Sequence, residues 1–274
     1  MVSLVTVPQK DASSTKSEEP RDRIGFRDGF RGTHSSRTMM FAELQALLNS
    51  TPADAAKQAY QDAIIEDNLL GKPTLSSRKL TAQKLTELYG LEPKIPLFRL
   101  MRHYWALADP AQPQIALLAA LARDPLLRTS MDVVLETVPG EALSAQAVEQ
   151  AIADQNPHRF SEKTLSSIAR NIRSTWTQSG HLSGYRQPQK IRTAIQATPA
   201  SVAYAVAIGY LEGHRGQLLL ETKWIKVLDL NPSVAKQLVQ EASRRGWLVY
   251  RGIGDMIDIS LPNLFTVEEE KWLQ

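Results

Sequence analysis

The chain of 274 residues has no cysteine. That excludes disulfides, thiolate metal sites and cysteine nucleophiles, and it suits a reducing cytoplasm. Histidine is scarce as well: His34, His103, His158, His181 and His214 are the five. None forms HExxH or another close ligand pair, so no metal site and no cofactor is expected. Long hydrophobic runs are missing too. The best candidate, Ala203–Leu211, falls short of the roughly 18 apolar residues of a membrane span and stops at Glu212. The start, MVSLVTVPQKD, lacks the basic region and long apolar core of a signal peptide. A cytoplasmic protein without a membrane partner is the expectation.

Catalytic signatures are equally thin. RGIGD (251–255) lacks the strand–GxGxxG–helix context, and there is no P-loop lysine motif. Glu221 and Lys223 form the Glu-x-Lys half of a metal-dependent nuclease site. That chemistry needs an Asp on a neighbouring strand, and the nearest upstream one is Asp154. Both residues are expected on a helix surface. Neither an enzyme nor a small-molecule substrate is expected.

What is present is positive charge in one place. The net charge is only +3, and residues 1–37 carry seven Lys/Arg against five Asp/Glu. Residues 158–193 hold seven basic groups and the single acid Glu162. The remainder of residues 38–274 is about five charges negative. Charge gathered in one segment matters more for binding a polyanion than the total does.

The pattern predicts a mainly α protein, a helical bundle with helix-turn-helix-like modules and a C-terminal winged helix that carries a small β-hairpin. Residues 1–36 predict a flexible arm whose Phe26 and Phe30 are placed to dock on the body or on a partner. Residues 37–140 read as a helical domain. Met39, Met40, Leu44, Leu47 and Leu48 suit one helix, 53–70 a second, and a third follows the GKP break to Gly90. Residues 141–196 form a basic helix-turn-helix with a wing-like hairpin, and 267–274 a tail. Within 197–266, helices over 199–213, 219–228 and 232–245 precede Gly246 as a stop. Strands then alternate around Gly252–Asp255, which is the layout of a winged helix-turn-helix.

Two helices carry the candidate contacts with nucleic acid. Projected at 100° per residue, 162–178 turns Leu165, Ile168, Ala169, Ile172 and Trp176 to one side. Lys163, Ser166, Ser167, Arg170, Arg173, Ser174 and Thr177 occupy the other. Solvated helices usually mix both signs to gain i,i+4 pairs. This face instead offers cations and hydroxyls, the groups that contact phosphates and base edges. Arg186, Lys190 and Arg192 are expected on the wing beside the backbone. In the last module Ser233, Lys236, Gln237, Gln240, Arg244 and Arg245 face outward, and Arg251 lies on the hairpin. Val234, Ala235, Leu238, Val239 and Ala242 are expected inside.

FAELQALLN (41–49) and AIIEDNLLGKPTLSSRKLTAQKLTELYGL (63–91) resemble the N-terminal half of the BrxA family of bacterial BREX phage-exclusion systems. The residues that match are Glu66–Leu70 and Thr74–Leu91, and IRSTWTQSGHL (172–182) gives a looser echo. The resemblance implies a helical, non-enzymatic, DNA-binding component of a defence system, with other defence proteins as partners. On the matching 74–90 helix Arg78, Lys79 and Lys84 join the candidate contacts. The likeness does not extend to the N-terminal extension or to residues 197–274. That helix also echoes 164–180, since both open Thr-Leu-Ser-Ser and close on Gly.

Double-stranded DNA is therefore the expected partner. About six phosphate contacts predict that log K falls by roughly 5 per log unit of salt. Two alternatives stay open. The near-neutral body suits a protein-interaction adaptor of a multiprotein complex, and the winged pattern also suits a transcriptional regulator.

Overall fold

A computed structural model describes residues 20–107, 109–184, 186–253 and 256–273. The protein is mainly helical, with a few short antiparallel strands. Residues 1–19 of the expected arm lie outside the described residues. The rest of that arm, 20–36, packs on the body through α1 (Pro20–Ile24) and a 3₁₀ turn at Thr33–Ser35. Phe26 is buried against Trp224, with ring centroids 6.0 Å apart. His34 is the deeper anchor. Its Nδ1–H donates to Asp124 at 2.8 Å and its Nε2 lies 2.7 Å from the Thr175 hydroxyl, all three residues being buried. A polar network of this kind leaves no apolar pattern in the sequence, which is why the segment looked flexible.

The bundle comprises α2 (Phe41–Ser50), α3 (Lys57–Ile65), α4 (Leu75–Tyr89), α5 (Pro96–Trp105), α6 (Gln112–Arg123), α7 (Pro125–Arg128) and α8 (Met131–Glu136). α6 is buried on every side, as its run Ile115–Ala122 demands. Arg102 donates to the carbonyls of Leu48 and Thr51 at 2.8 Å each, capping the end of α2. α3 is shorter than the predicted 53–70. A turn beyond it holds Asn68 at positive φ, with its Oδ1 accepting the Lys72 amide at 2.7 Å. His103 points outward, edge-on to Tyr104 at 4.9 Å.

Next come β1 (Ala142–Leu143), α9 (Ala145–Gln155), α10 (Glu162–Gln178), β2 (Leu182–Ser183) and β3 (Lys190–Arg192). The three strands form an antiparallel sheet in the order β1-β3-β2, with Leu143 opposite Lys190 and Leu182 opposite Arg192. The two Thr-Leu-Ser-Ser stretches fall out of step by position. Thr74 caps α4, whereas Thr164 lies inside α10, whose cap is Ser161.

The last segment holds α11 (Pro199–Leu211), a 3₁₀ turn (Gly216–Leu220), α12 (Lys223–Val227), α13 (Pro232–Arg244), β4 (Val249–Ile253) and β5 (Met256–Ser260). The predicted 219–228 helix is thus split, and Glu221 and Lys223 flank the split on no strand. The 3₁₀ turn approaches β5 so closely that a Cβ on Gly216 would meet the Ile257 carbonyl at 2.8 Å. The predicted tail forms α14 (Val267–Trp272), docked by the Glu269–Arg99 ion pair. One hydrophobic core runs through all these segments. Among the described residues no helix is long and apolar enough to cross a membrane.

Candidate nucleic-acid interface

α10 starts where the Ser161 hydroxyl accepts the Thr164 amide at 3.3 Å and stops at Gly180, whose φ of 89° suits glycine. Its inner face is the predicted one, with Ile168, Ala169, Ile172 and Trp176 buried, Thr175 beside them and Leu165 half-buried. Lys163, Ser166 and Arg170 are exposed, while Ser167, Arg173, Ser174 and Thr177 are half-buried.

Facing α10 is the hairpin between β2 and β3. With α9 they enclose an open cleft of about 640 Å³. Ser166, Arg170, Arg173, Ser174 and Thr177 line it from α10, and Arg186, Gln187, Pro188 and Lys190 from the hairpin. α9 adds Ala145 and Glu149. The predicted polar face and the predicted wing therefore share one concave surface. Glu149 and Gln187 were missed. On sequence, Glu149 is one polar residue of an amphipathic helix, and only the packing of α9 on α10 brings it to the cleft.

Three predicted contacts have other tasks. Arg192 is 2% exposed, ion-paired with Asp229 and donating to the Val134 carbonyl at 3.1 Å. It is a core residue. The inward side of β3 claims its long side chain, and carbonyl groups and a carboxylate satisfy the guanidinium. Arg173 donates to the carbonyls of Pro188 at 2.7 Å and Leu143 at 3.3 Å, so it ties the hairpin and β1 to α10. Lys190 Nζ donates to the Gly184 carbonyl at 2.6 Å and closes the hairpin. Burial lowers the Arg173 pKa, and nearby Glu149 opposes that. Lys190 is lowered by burial and by repulsion from Arg173. Arg170 and Lys163 stand outward, and Arg186 is exposed at a positive φ of 60°.

α4 contributes little to this surface. Arg78 donates to the Ile65 carbonyl at 2.9 Å and Lys84 pairs with Glu87 at 2.7 Å. Exposed Lys79 lines a different cleft of about 520 Å³ with Arg27, Lys57 and Arg123.

On α13, Ser233, Gln237 and Arg244 are exposed, as is Arg245 at its C-cap, and Lys236 and Gln240 are half-buried. Arg245 is ion-paired with Glu241 and lies over the Trp247 ring at 5.0 Å. Arg251 is exposed opposite Asp258 in the hairpin register. Val234, expected inside, is 38% exposed, because it lies about 100° around α13 from the arc of buried Ala235, Val239 and Ala242. This surface is the more neutral of the two.

The His34–Asp124 pair and Thr175 have the connectivity of a hydrolase triad, yet the hydroxyl is fully buried and accepts the Met39 amide at 2.8 Å. A nucleophile so enclosed meets no substrate. Among the described residues no group of three or more His, Asp or Glu is placed to hold a metal ion. No protein-family model matches the chain, and no curated protein matches it.

Proposed function

We propose that the protein binds double-stranded DNA without catalysis, with α10 as the reading helix and the β2–β3 hairpin as a wing beside the phosphate backbone. One observation carries this: an exposed helix face of cations and hydroxyls and a cation-bearing hairpin line the same cleft. The order helix, strand, two helices, two strands, with the sheet ordered β1-β3-β2, fits a winged helix-turn-helix. Segment 199–260 fits the same plan, with a 3₁₀ turn where the first strand would be. The resemblance of residues 41–91 supports a place in a BREX-like phage-defence system.

Lys163, Arg170 and Arg186 supply about three phosphate contacts, so log K should fall by about 3 per log unit of salt. That is shallower than the sequence suggested, because Arg192 is buried and Arg173 and Lys190 hold the hairpin. The test is a salt titration on a duplex of about 30 base pairs. Lys163→Glu/Arg170→Glu should weaken binding, flatten the slope by about 2 and leave the circular dichroism unchanged. No binding by the wild type at low salt would overturn the proposal.

A second reading has its own observation. The second module exposes apolar side chains, Met256 at 75% and Val234, beside its paired charges. This suits contact with another protein of a complex.

A further inference from the structure

At the N-terminal end of α10 lies a second cleft, of about 500 Å³, lined by Arg27, Asp28, Phe30, Arg31 and Arg159. Phe30 is 69% exposed, which leaves an aromatic ring open to solvent among Arg27, Arg31 and Arg159. The Arg159 guanidinium is held by the Phe30 carbonyl and by Asn156 Oδ1 at 3.1 Å. It lies over two rings, 5.7 Å from Phe30 and 4.8 Å from Phe160. Arg31 is exposed beside them. The one carboxylate here, Asp28, is engaged elsewhere, by Arg21 at 2.9 Å and Arg128 at 3.1 Å. The cleft is therefore electropositive despite its acid.

An open aromatic ring bordered by arginines is what an unpaired nucleotide needs. The base stacks on the ring and the phosphates meet the guanidinium groups. An acidic peptide would use the arginines, but its carboxylates offer no flat π-face to stack on Phe30. Arg159 and Phe160 directly precede Ser161, the cap of α10. The cleft therefore borders the N-terminal end of the helix on which the duplex is proposed to sit.

We infer that the Phe30–Arg31–Arg159 cleft binds a single-stranded nucleic-acid segment by stacking an unpaired base on Phe30. The inference rests on the DNA-binding proposal above. Its test compares three probes by fluorescence anisotropy: a blunt duplex, the same duplex with an oligothymidine extension, and oligothymidine alone. The wild type should bind the extended duplex about five- to tenfold more tightly than the blunt one. Phe30→Ala should abolish that gain and leave blunt-duplex affinity unchanged. Phe30→Trp should keep the gain, and its indole emission should be quenched by oligothymidine. Equal affinity for blunt and extended duplexes would overturn the inference while duplex binding stands, and so would a gain that survives Phe30→Ala. Binding of oligothymidine but no duplex would instead overturn the proposal for α10. Binding of none of the three would overturn both and turn attention to an acidic protein partner.

Discussion

Gly32 shows how one missing side chain holds the N-terminal segment in place. A Cβ there would sit 2.0 Å from Asp124 Oδ1 and 3.0 Å from the Leu126 Cβ. The carboxylate cannot retreat, since it accepts the amides of His34 at 3.0 Å and Leu127 at 3.1 Å and the His34 ring at 2.8 Å. Gly32→Ala should cost about 1–3 kcal/mol or more, as overpacking does, read by urea denaturation. His34→Ala should cost about 3–5 kcal/mol, because it leaves Asp124 buried without its partner. Burial alone would raise the Asp124 pKa. The attraction and hydrogen bond of His34 and the two amides outweigh burial and hold it below the ordinary value. None of this was legible in the sequence, where Gly32, His34 and Asp124 are separate polar residues. The exposed faces were legible, because Lys163, Ser166 and Arg170 follow directly from helical periodicity.

Among the elements, α10 was read almost residue for residue. Its Gly stop and its one-sided apolar stripe are local features, and local features survive into the fold. What periodicity could not show is which outward residues are free to meet a ligand. Arg173 sits on the polar arc yet spends its donors on Pro188 and Leu143. We expect Arg173→Met to loosen the hairpin rather than to remove a phosphate contact. Hydrogen exchange at β2 and β3 should accelerate while α10 stays protected. The salt slope of DNA binding should change by less than for Arg170→Glu, and a larger change would make Arg173 a direct contact. The two hairpins fall where Gly and Pro punctuation placed them, whereas the two-residue strand β1 was not foreseen. The 219–228 helix was overrun, because a leucine run does not reveal the close approach of Gly216 to β5.

At the scale of the whole molecule, His181 joins the turn between α10 and β2 to α12. Its Nε2–H donates to the Val227 carbonyl at 2.7 Å, its Nδ1 lies 2.9 Å from the Ser179 hydroxyl, and its ring stands edge-on to Trp176 at 4.8 Å. Burial pushes its pKa down to about 4. The neutral form is the folded form, so the stability it gives is full above about pH 6.5, the unfolded value. It is lost as pH falls from there to about 4, where the folded chain takes the proton too. Denaturant titrations should show a loss of about 3 kcal/mol across that window that His181→Gln does not show. An equal loss in the variant would place the acid sensitivity elsewhere, in Asp124 and other carboxylates.

The sequence by itself determined the helical class, the hairpins, the amphipathic faces and the segment where positive charge collects, because each is set by neighbours along the chain. Only the tertiary structure decided which cations stay on the surface, that residues 20–36 belong to the body, and that α9, α10 and the hairpin share a cleft. Those outcomes depend on groups distant in sequence meeting in a low-dielectric interior, where each buried polar atom must find a partner.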